Sequence, residues 1–341
     1  MTTIIENTVR DGSYAVNFQL SMEQSNSIVK GLDDLGFEYI EIGHGLGLGA
    51  GKSAVTGLSK ESDEAYIKGA KSVVRNSKIG VFFIPGIGSL DDISMAADLG
   101  VDFIRIGVNI NRYSDMLAVA KLVKERGLWL GLNLMKSYAV KSYEFLQIVK
   151  DIDSWELADA IYLVDSAGCM TPDEVFKYIE LAREQIVTPM GFHGHNNLSL
   201  AVANSLSAVK AGASFVDSSI LGMGRSAGNA QTEVLTYLLN KEGFLSKSFD
   251  QYKLYDFADN VIDPLMTSKQ GLNGGAIHIG VSKFHTSYLP LINECSEKYG
   301  VDKRELIKEV SDVNCLDPDE ELVIEIACRM KNLTRNSNLK I

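Results

Sequence analysis

Two of the chain's five histidines stand one residue apart in Gly191-Phe192-His193-Gly194-His195-Asn196-Asn197. The apolar lead-in Ile186, Val187, Pro189 and Met190 marks the segment as a strand. Successive side chains on a strand alternate faces, so His193 and His195 point the same way, with Gly194 leaving room between them. Two imidazoles converging from one strand make half of a divalent-metal site. On its own the pair reads equally well as packed or surface histidines. A carboxylate would complete a two-His, one-carboxylate set with positions left open for substrate. Asp11, in Val9-Arg10-Asp11-Gly12, is the candidate. Its bland alternative is a turn residue before Gly12, and that of Arg10 is a salt bridge on a rim. Asn229 offers either an amide oxygen as a further ligand or a helix N-cap. Glu41 either faces the same site or pairs internally.

Such residues need a frame that brings positions 11 and 193 together. Short apolar runs alternate with amphipathic helical patterns along most of the chain. Candidate strands lie at Thr3–Val9, Phe37–Ile42, Ile79–Ile84, Phe103–Val108, Leu128–Leu134, Ala160–Val164, Pro189–Gly194 and Ser214–Leu221. Helix starts are readable between them. Ser21-Met22-Glu23-Gln24 is a capping box. Thr171-Pro172-Asp173-Glu174 sets a cap, a proline and two acids at a helix N-terminus. The stretch Leu35-Gly36-Phe37-Glu38-Tyr39-Ile40-Glu41-Ile42-Gly43 recurs as Leu99-Gly100-Val101-Asp102-Phe103-Ile104-Arg105-Ile106-Gly107, 64 residues on, and Ala211-Gly212-Ala213-Ser214-Phe215-Val216 echoes both. A repeating helix-Gly-strand unit of half that length is a βα repeat. Eight of them make an α/β fold, a (β/α)8 TIM barrel of about 250 residues. A doubly wound open sheet is the other candidate, but no dinucleotide fingerprint supports it.

In such a barrel the chemistry sits at the C-terminal strand ends. The polar residues expected there are Arg10, Asp11 and Tyr14 after strand 1, Glu41 and His44 after strand 2, and Asn109 after strand 4. Asn133 and Lys136 follow strand 5, Asp165 and Ser166 follow strand 6, and His193 and His195 end strand 7. Arg225 to Asn229 follow strand 8. The glycine-rich loop Gly43–Gly51 reads as a lid or a tight bend around His44. Its tail Gly49-Ala50-Gly51-Lys52-Ser53 is no phosphate loop, because Leu46 stands where that motif needs glycine.

After Gly243 the rhythm changes. Phe249–Pro264 reads as helix and Met266–Gly275 as a loop, followed by helices over Tyr288–Tyr299, Lys303–Val313 and Glu320–Lys331, with Asn332–Ile341 expected to fray. We divide the chain into a catalytic barrel over 1–265 and a small C-terminal helical domain over 266–341.

Composition narrows the class. The chain has 341 residues, 45% hydrophobic and 23% charged, which suits a packed core. A net charge of −11 without a Lys/Arg cluster argues against nucleic acid as a partner. No run of about 18 apolar residues suggests a membrane span. Four cysteines without a C-x-x-C pair point to reduced thiols and no disulfide framework, and the N-terminus lacks a signal-peptide pattern. Cytoplasmic localisation is the expectation.

In chain order, Val9-Arg10-Asp11-Gly12-Ser13, Gly43-His44-Gly45, Pro85-Gly86-Ile87-Gly88, Asp165-Ser166, Gly191 to Leu200 and Gly222-Met223-Gly224 through Gly228-Asn229-Ala230 resemble the 4-hydroxy-2-oxovalerate aldolases. These lie within a wider group of metal-dependent barrels that includes hydroxymethylglutaryl-CoA lyase and isopropylmalate synthase. The long HGH segment is the specific part, and the likeness weakens in the C-terminal helices.

The resemblance implies roles. Asp11, His193 and His195 bind a divalent ion, Mn²⁺ or Mg²⁺. Arg10 stabilises an enolate oxygen. Ser166 contacts the oxo-acid carboxylate, and His193 also touches substrate. In such aldolases a histidine two positions beyond the Asp-Gly pair is the base, assisted by a C-terminal tyrosine. Here Tyr14 holds the base position, and His285 of Gly280-Val281-Ser282-Lys283-Phe284-His285 stands where the tyrosine is expected. The two are exchanged. An ordinary Tyr titrates near 10 and His near 6.5, so His285 is the better base, acting directly or through Tyr14 or water. Its bland alternative is packing in the appendage.

The implied reaction cleaves, or forms, a 4-hydroxy-2-oxo acid to pyruvate and an aldehyde through a metal-bound enolate. A condensing enzyme using an acyl-CoA and a 2-oxo acid is the alternative, and a metal-binding scaffold the third. The appendage of related aldolases docks an acylating aldehyde dehydrogenase; here it could do that or form a homodimer.

Overall fold

The computed structural model describes residues 1–267 and 269–338. Eight parallel strands close into a barrel: β1 (Thr3–Glu6), β2 (Tyr39–Ile42), β3 (Lys78–Phe83), β4 (Phe103–Asn109), β5 (Trp129–Met135), β6 (Ala160–Asp165), β7 (Met190–Gly194) and β8 (Phe215–Ser218). Each pairs with its neighbours in sequence, and β1 closes on β8 with Thr3 beside Phe215 and Glu6 beside Ser218. The outer ring is α1 (Met22–Leu35), α2 (Asp63–Val73), α3 (Leu90–Asp98), α4 (Met116–Glu125), α5 (Ser142–Asp153), α6 (Pro172–Arg183), α7 (Ala201–Lys210) and α8 (Thr232–Lys241). The caps at Ser21 and Thr171 form as their sequences predict, each closing a capping box.

β1 and β8 are shorter than expected. Glu6 captures the amide and hydroxyl of Thr8, both at 2.8 Å, and turns the chain out of the sheet before Val9. Beyond β8, Ile220–Gly222 forms a 3-10 turn, its first amide held by the Thr8 hydroxyl at 2.8 Å.

The barrel interior is layered. Tyr39, Phe103, Trp129 and Phe215 fill one level, their ring centroids 5.2 to 6.2 Å apart. Contacts of this kind favour tilted and edge-on rings over a sandwich. A charged level carries Glu41, Arg105 and Asp217 beside Tyr162, all buried. Glycines on neighbouring strands make space for it. A Cβ on Gly131 would lie 2.9 Å from Arg105 Cγ, and one on Gly191 2.5 Å from the Tyr162 ring. Between strands and outer helices runs one continuous apolar cluster that includes Ile28, Leu32, Ile104, Leu132, Phe192 and Leu239.

The helix expected over Phe249–Pro264 is broken into α9 (Gln251–Phe257), a π turn at Ala258–Ile262 and a 3-10 turn at Asp263–Leu265. Beyond it stand α10 (Gly274–Val281), α11 (Leu289–Tyr299), α12 (Lys303–Val313) and α13 (Glu320–Asn338). They share an apolar cluster of their own, with Phe284, Ile292, Leu306, Val310 and Val323 at its centre. The helix expected to end at Lys331 continues through Asn338, into the stretch expected to fray. The remainder of that expectation, 339–341, lies outside the described residues. No helix among the described residues is long and apolar enough to cross a membrane.

Candidate active site

β7 delivers His193 and His195 to one side, their rings 5.1 Å apart and nearly perpendicular. Gly194 faces the other way. Its missing side chain makes room for the ring of Phe192, 2.7 Å from where a Cβ would stand, and not for the imidazoles as the sequence suggested. Residues 192 and 194 share a strand face, and that face is packed core. Each imidazole is held through Nδ1, His193 by Asp217 at 2.8 Å and His195 by the Gly228 carbonyl at 3.4 Å. Nε2 of both rings is left for a ligand.

Asp11 opens the 3-10 turn Asp11–Val16 after β1. Its carboxylate accepts from Arg10 Nη1 at 2.9 Å and from Asn229 Nδ2 at 2.7 Å. Burial works to raise this carboxyl, but Arg10 and the two histidines hold it well below the usual carboxylate range. One ligand atom each from Asp11, His193 and His195 lie within 4.8 Å of one another. An O,N,N donor set of that spread, buried and with its imidazoles oriented from behind, fits a divalent ion. Asn229 adds a buried Oδ1 without a partner beside Asp11. It is not a helix cap, since α8 begins beyond it.

Arg10 is buried and locked. Nε donates to Glu41 Oε2 at 2.6 Å, and the guanidinium lies over the Phe82 ring at 4.8 Å. Glu41 therefore pairs inside the barrel. The same Oε2 accepts from Arg105 Nη2 at 2.6 Å, and Arg105 Nη1 reaches both Asp217 oxygens at 2.8 and 2.9 Å. A buried ion network thus runs from Arg10 to the back of His193. Burial raises the Asp217 carboxyl, but Arg105 and His193 hold it down at about 2.

Ser166 Oγ accepts from the Lys136 amide at 3.0 Å. Tyr14 is held against Gly45, where a Cβ would fall 2.2 Å from its ring. Burial pushes the Tyr14 phenol up to about 12. His285 caps the turn Thr286–Tyr288, with Nδ1 2.7 Å from Ser287 Oγ. Burial, reinforced by Arg225 and Lys136, pushes its imidazole well below its ordinary value.

One cavity of about 270 Å³ is lined by all seven predicted residues: Arg10, Asp11, Tyr14, Ser166, His193, His195 and His285. His44 does not line it. Its ring bonds Gly57 O and Leu46 N, both at 3.0 Å, and stacks on Phe18, so it ties the glycine-rich loop together. Asp165 turns away to accept the amides of Cys169 and Met170. Sequence reasoning missed Arg105 and Asp217. Their signal was a charge inside a fully buried strand, as in Phe103-Ile104-Arg105-Ile106.

Residues 2–261 match the model of the HMGL-like family. A protein named 4-hydroxy-2-oxovalerate aldolase from Carboxydothermus hydrogenoformans is 36% identical over 332 residues, 97% of this chain and 98% of that one. The crystallised N-terminal domain of a candidate aldolase from Bacteroides vulgatus superposes with a TM-score of 0.70 at 26% identity, over 87% of this chain and 98% of that one. The carboxyl transferase domain Y628A of Rhizobium etli pyruvate carboxylase, with pyruvate, gives a TM-score of 0.78 at 15% identity, over 98% of this chain and 61% of that one, a likeness of fold alone.

Proposed function

We infer the reaction from the premise that this chain belongs to the HMGL-like family and, within it, to the 4-hydroxy-2-oxovalerate aldolases. It is a metal-dependent carbon–carbon lyase that cleaves, or forms, a 4-hydroxy-2-oxo acid to pyruvate and an aldehyde. The observation that carries the reading is the cluster of Asp11, His193 and His195 in one cavity with Arg10 and Ser166.

Asp11, His193 and His195 hold the divalent ion, which when bound supplies a Lewis acid for charge on the 2-oxo group. We assign Mn²⁺ or Mg²⁺, because a mixed oxygen and nitrogen set suits either. Arg10 places a fixed positive charge beside the same oxygen and needs no rearrangement, since Glu41 and Asp11 already hold it. Ser166 accepts from the Lys136 amide, so its own hydroxyl proton is left to donate to the oxo-acid carboxylate. His285 removes the proton of the 4-hydroxyl, directly or through Tyr14 or water. Its Nδ1 accepts from the Ser287 amide at 3.2 Å, with the Ser287 hydroxyl 2.7 Å away, so action at Nε2 requires the ring to move its N–H to Nδ1 and give up that amide. Tyr14, with its phenol near 12, stays protonated and orients the hydroxyl or relays its proton. Scission of the carbon–carbon bond releases the aldehyde and the enolate of pyruvate.

The division at 265/266 is supported by the separate apolar clusters of barrel and appendage. Four free cysteines suit a cytoplasmic enzyme. A homodimer is supported by exposed Val234, Tyr237, Tyr252 and Tyr255 on α8 and α9. Transfer of the aldehyde to an acylating dehydrogenase docked on the appendage belongs to the same reading, and co-purification tests it.

The test of the reaction is exchange of pyruvate methyl protons into D₂O by NMR, with Mn²⁺, with Mg²⁺, with EDTA, and in His193→Ala. Exchange that requires the ion and is lost in the variant is the expected result. Exchange that survives EDTA, or none with any ion, overturns it.

A further inference from the structure

Beside the cavity around Asp11 lies a second chamber of about 620 Å³ between the barrel and the appendage, and Tyr14, Leu46, Arg225, His285 and Ser287 line both. A two-carbon aldehyde needs little of that space. Pockets of this size suit ligands several times larger.

The charge in the chamber has one sign. Arg225, Lys303 and Arg304 line it, and no Asp or Glu does among the described residues. Arg225 has no carboxylate within 4 Å among the described residues. Its two terminal nitrogens donate to neutral oxygens, Thr286 Oγ1 at 2.6 Å and the Ser166 carbonyl at 2.8 Å. That geometry fixes the guanidinium between the chambers with no carboxylate in direct contact among the described residues. Among the described residues the Lys303 side chain has no hydrogen bond or ion pair, and the Arg304 guanidinium has one long contact, 3.5 Å to exposed Asp302. Apolar Val55, Ile279, Leu289 and Ile307 share the rest of the wall with neutral polar residues such as Thr56, Asn273 and His278. A protein with a net charge of −11 has gathered cations in the chamber beside its candidate active site. Such a funnel draws in anions and gives a planar guanidinium a carboxylate or phosphate to bind.

We propose that the aldehyde handled by this enzyme carries a carboxylate or phosphate at its far end, seated in the chamber against Arg225 with Lys303 and Arg304 at the outer wall. The proposal rests on the aldolase reading above. The carbonyl carbon then faces the pyruvate enolate, the carbon chain runs past Ile279 and Ile307, and the anion ends among the cations. Reaction is by plain aldol addition: the enolate carbon bonds to the aldehyde carbon, whose oxygen takes up one proton, and no oxidant or reductant is needed.

The experiment compares kcat/KM for addition of pyruvate to succinic semialdehyde, to butanal and to glyceraldehyde 3-phosphate against glyceraldehyde, with the Mn²⁺-loaded full chain. The anionic member of each pair is expected to win at least tenfold, and the pair with the larger margin tells carboxylate from phosphate. The double variant Lys303→Glu/Arg304→Glu is expected to cut that ratio at least tenfold, as is Arg225→Gln. Equal use of anionic and neutral aldehydes overturns the proposal, as does a ratio unmoved by the double variant. If Arg225→Gln instead raises KM for pyruvate with every aldehyde and leaves the ratio alone, Arg225 serves the oxo acid and its assignment here is wrong. Calorimetric titration of succinate into the metal-free protein gives a readout that does not depend on turnover. Binding that weakens at least tenfold in the double variant supports the chamber even where pyruvate shows no proton exchange, and absence of binding overturns it.

Discussion

Asp217 Oδ2 lies 2.8 Å from His193 Nδ1, and the same carboxylate grips Arg105 through both oxygens. Asp217 thereby sets which nitrogen of His193 carries the proton and which is offered to a metal. Partners that orient a ligand in this way change metal affinity by about 10–100-fold when removed. Asp217→Asn is therefore expected to weaken Mn²⁺ binding by that factor while keeping the far-ultraviolet circular dichroism of the barrel. Calorimetric titration of the metal reads it. An unchanged affinity would falsify the orienting role.

Arg105 holds Glu41 on one side and Asp217 on the other, fully buried. Removing it leaves two carboxylates in the barrel interior with too few donors, although Arg10 still reaches Glu41. Breaking a buried ion network from one side costs about 3–5 kcal/mol. Arg105→Met should lower stability by that amount in urea unfolding. A loss under about 1 kcal/mol would mean that water or a rearranged Arg10 compensates.

A third expectation concerns Asp33, which accepts from the amides of Arg75, Asn76 and Ser77 at 2.7 to 3.0 Å and so joins the end of α1 to the start of β3. Burial raises its carboxyl, but the Ser77 hydroxyl and these amides hold it below the ordinary value. A depressed carboxyl contributes stability above its unfolded value near 3.8, and that contribution is lost as pH falls through the lower folded value. Asp33→Ala should destabilise by about 2 kcal/mol at pH 7, where charge-assisted hydrogen bonds are lost, and less near pH 2. Equal loss at both pH values would point to packing instead.

The frame was legible because its signals are local. Periodicity located all eight strands, and α12 begins and ends at the expected Lys303 and Val313. Six of the seven candidate site residues could be named because strand ends in a barrel converge, whatever their separation in sequence, whereas His285, in the appendage, was named from the family resemblance. The ion network was not legible. Arg105 meets partners 64 and 112 positions away, and no spacing rule links an arginine in β4 to an aspartate in β8. The role of Gly194 was misread for a related reason: its neighbour in space is Phe192, on the packed side of the strand. The second chamber was invisible too, since it exists only where the appendage covers the barrel mouth.

The exchange of Tyr14 and His285 yields the last expectation. His285→Phe removes the proposed base and should lower kcat for aldol cleavage by about 10²–10⁴-fold. Tyr14→Phe keeps the imidazole and should cost less. The pH profile separates this from simple damage to the pocket. The base must be neutral to work, and burial holds the His285 imidazole well below 6.5. Activity is then retained as pH falls through 6.5 and is lost only as His285 takes up its proton at lower pH. Tyr14, raised to about 12, adds no basic limb below pH 10. The acid limb of log kcat/KM against pH should therefore lie under 6.5 in the wild-type enzyme and vanish or shift in His285→Phe. A limb that stays in place in that variant assigns the proton to another group, and Tyr14 with a bound water is then the remaining path in this cavity.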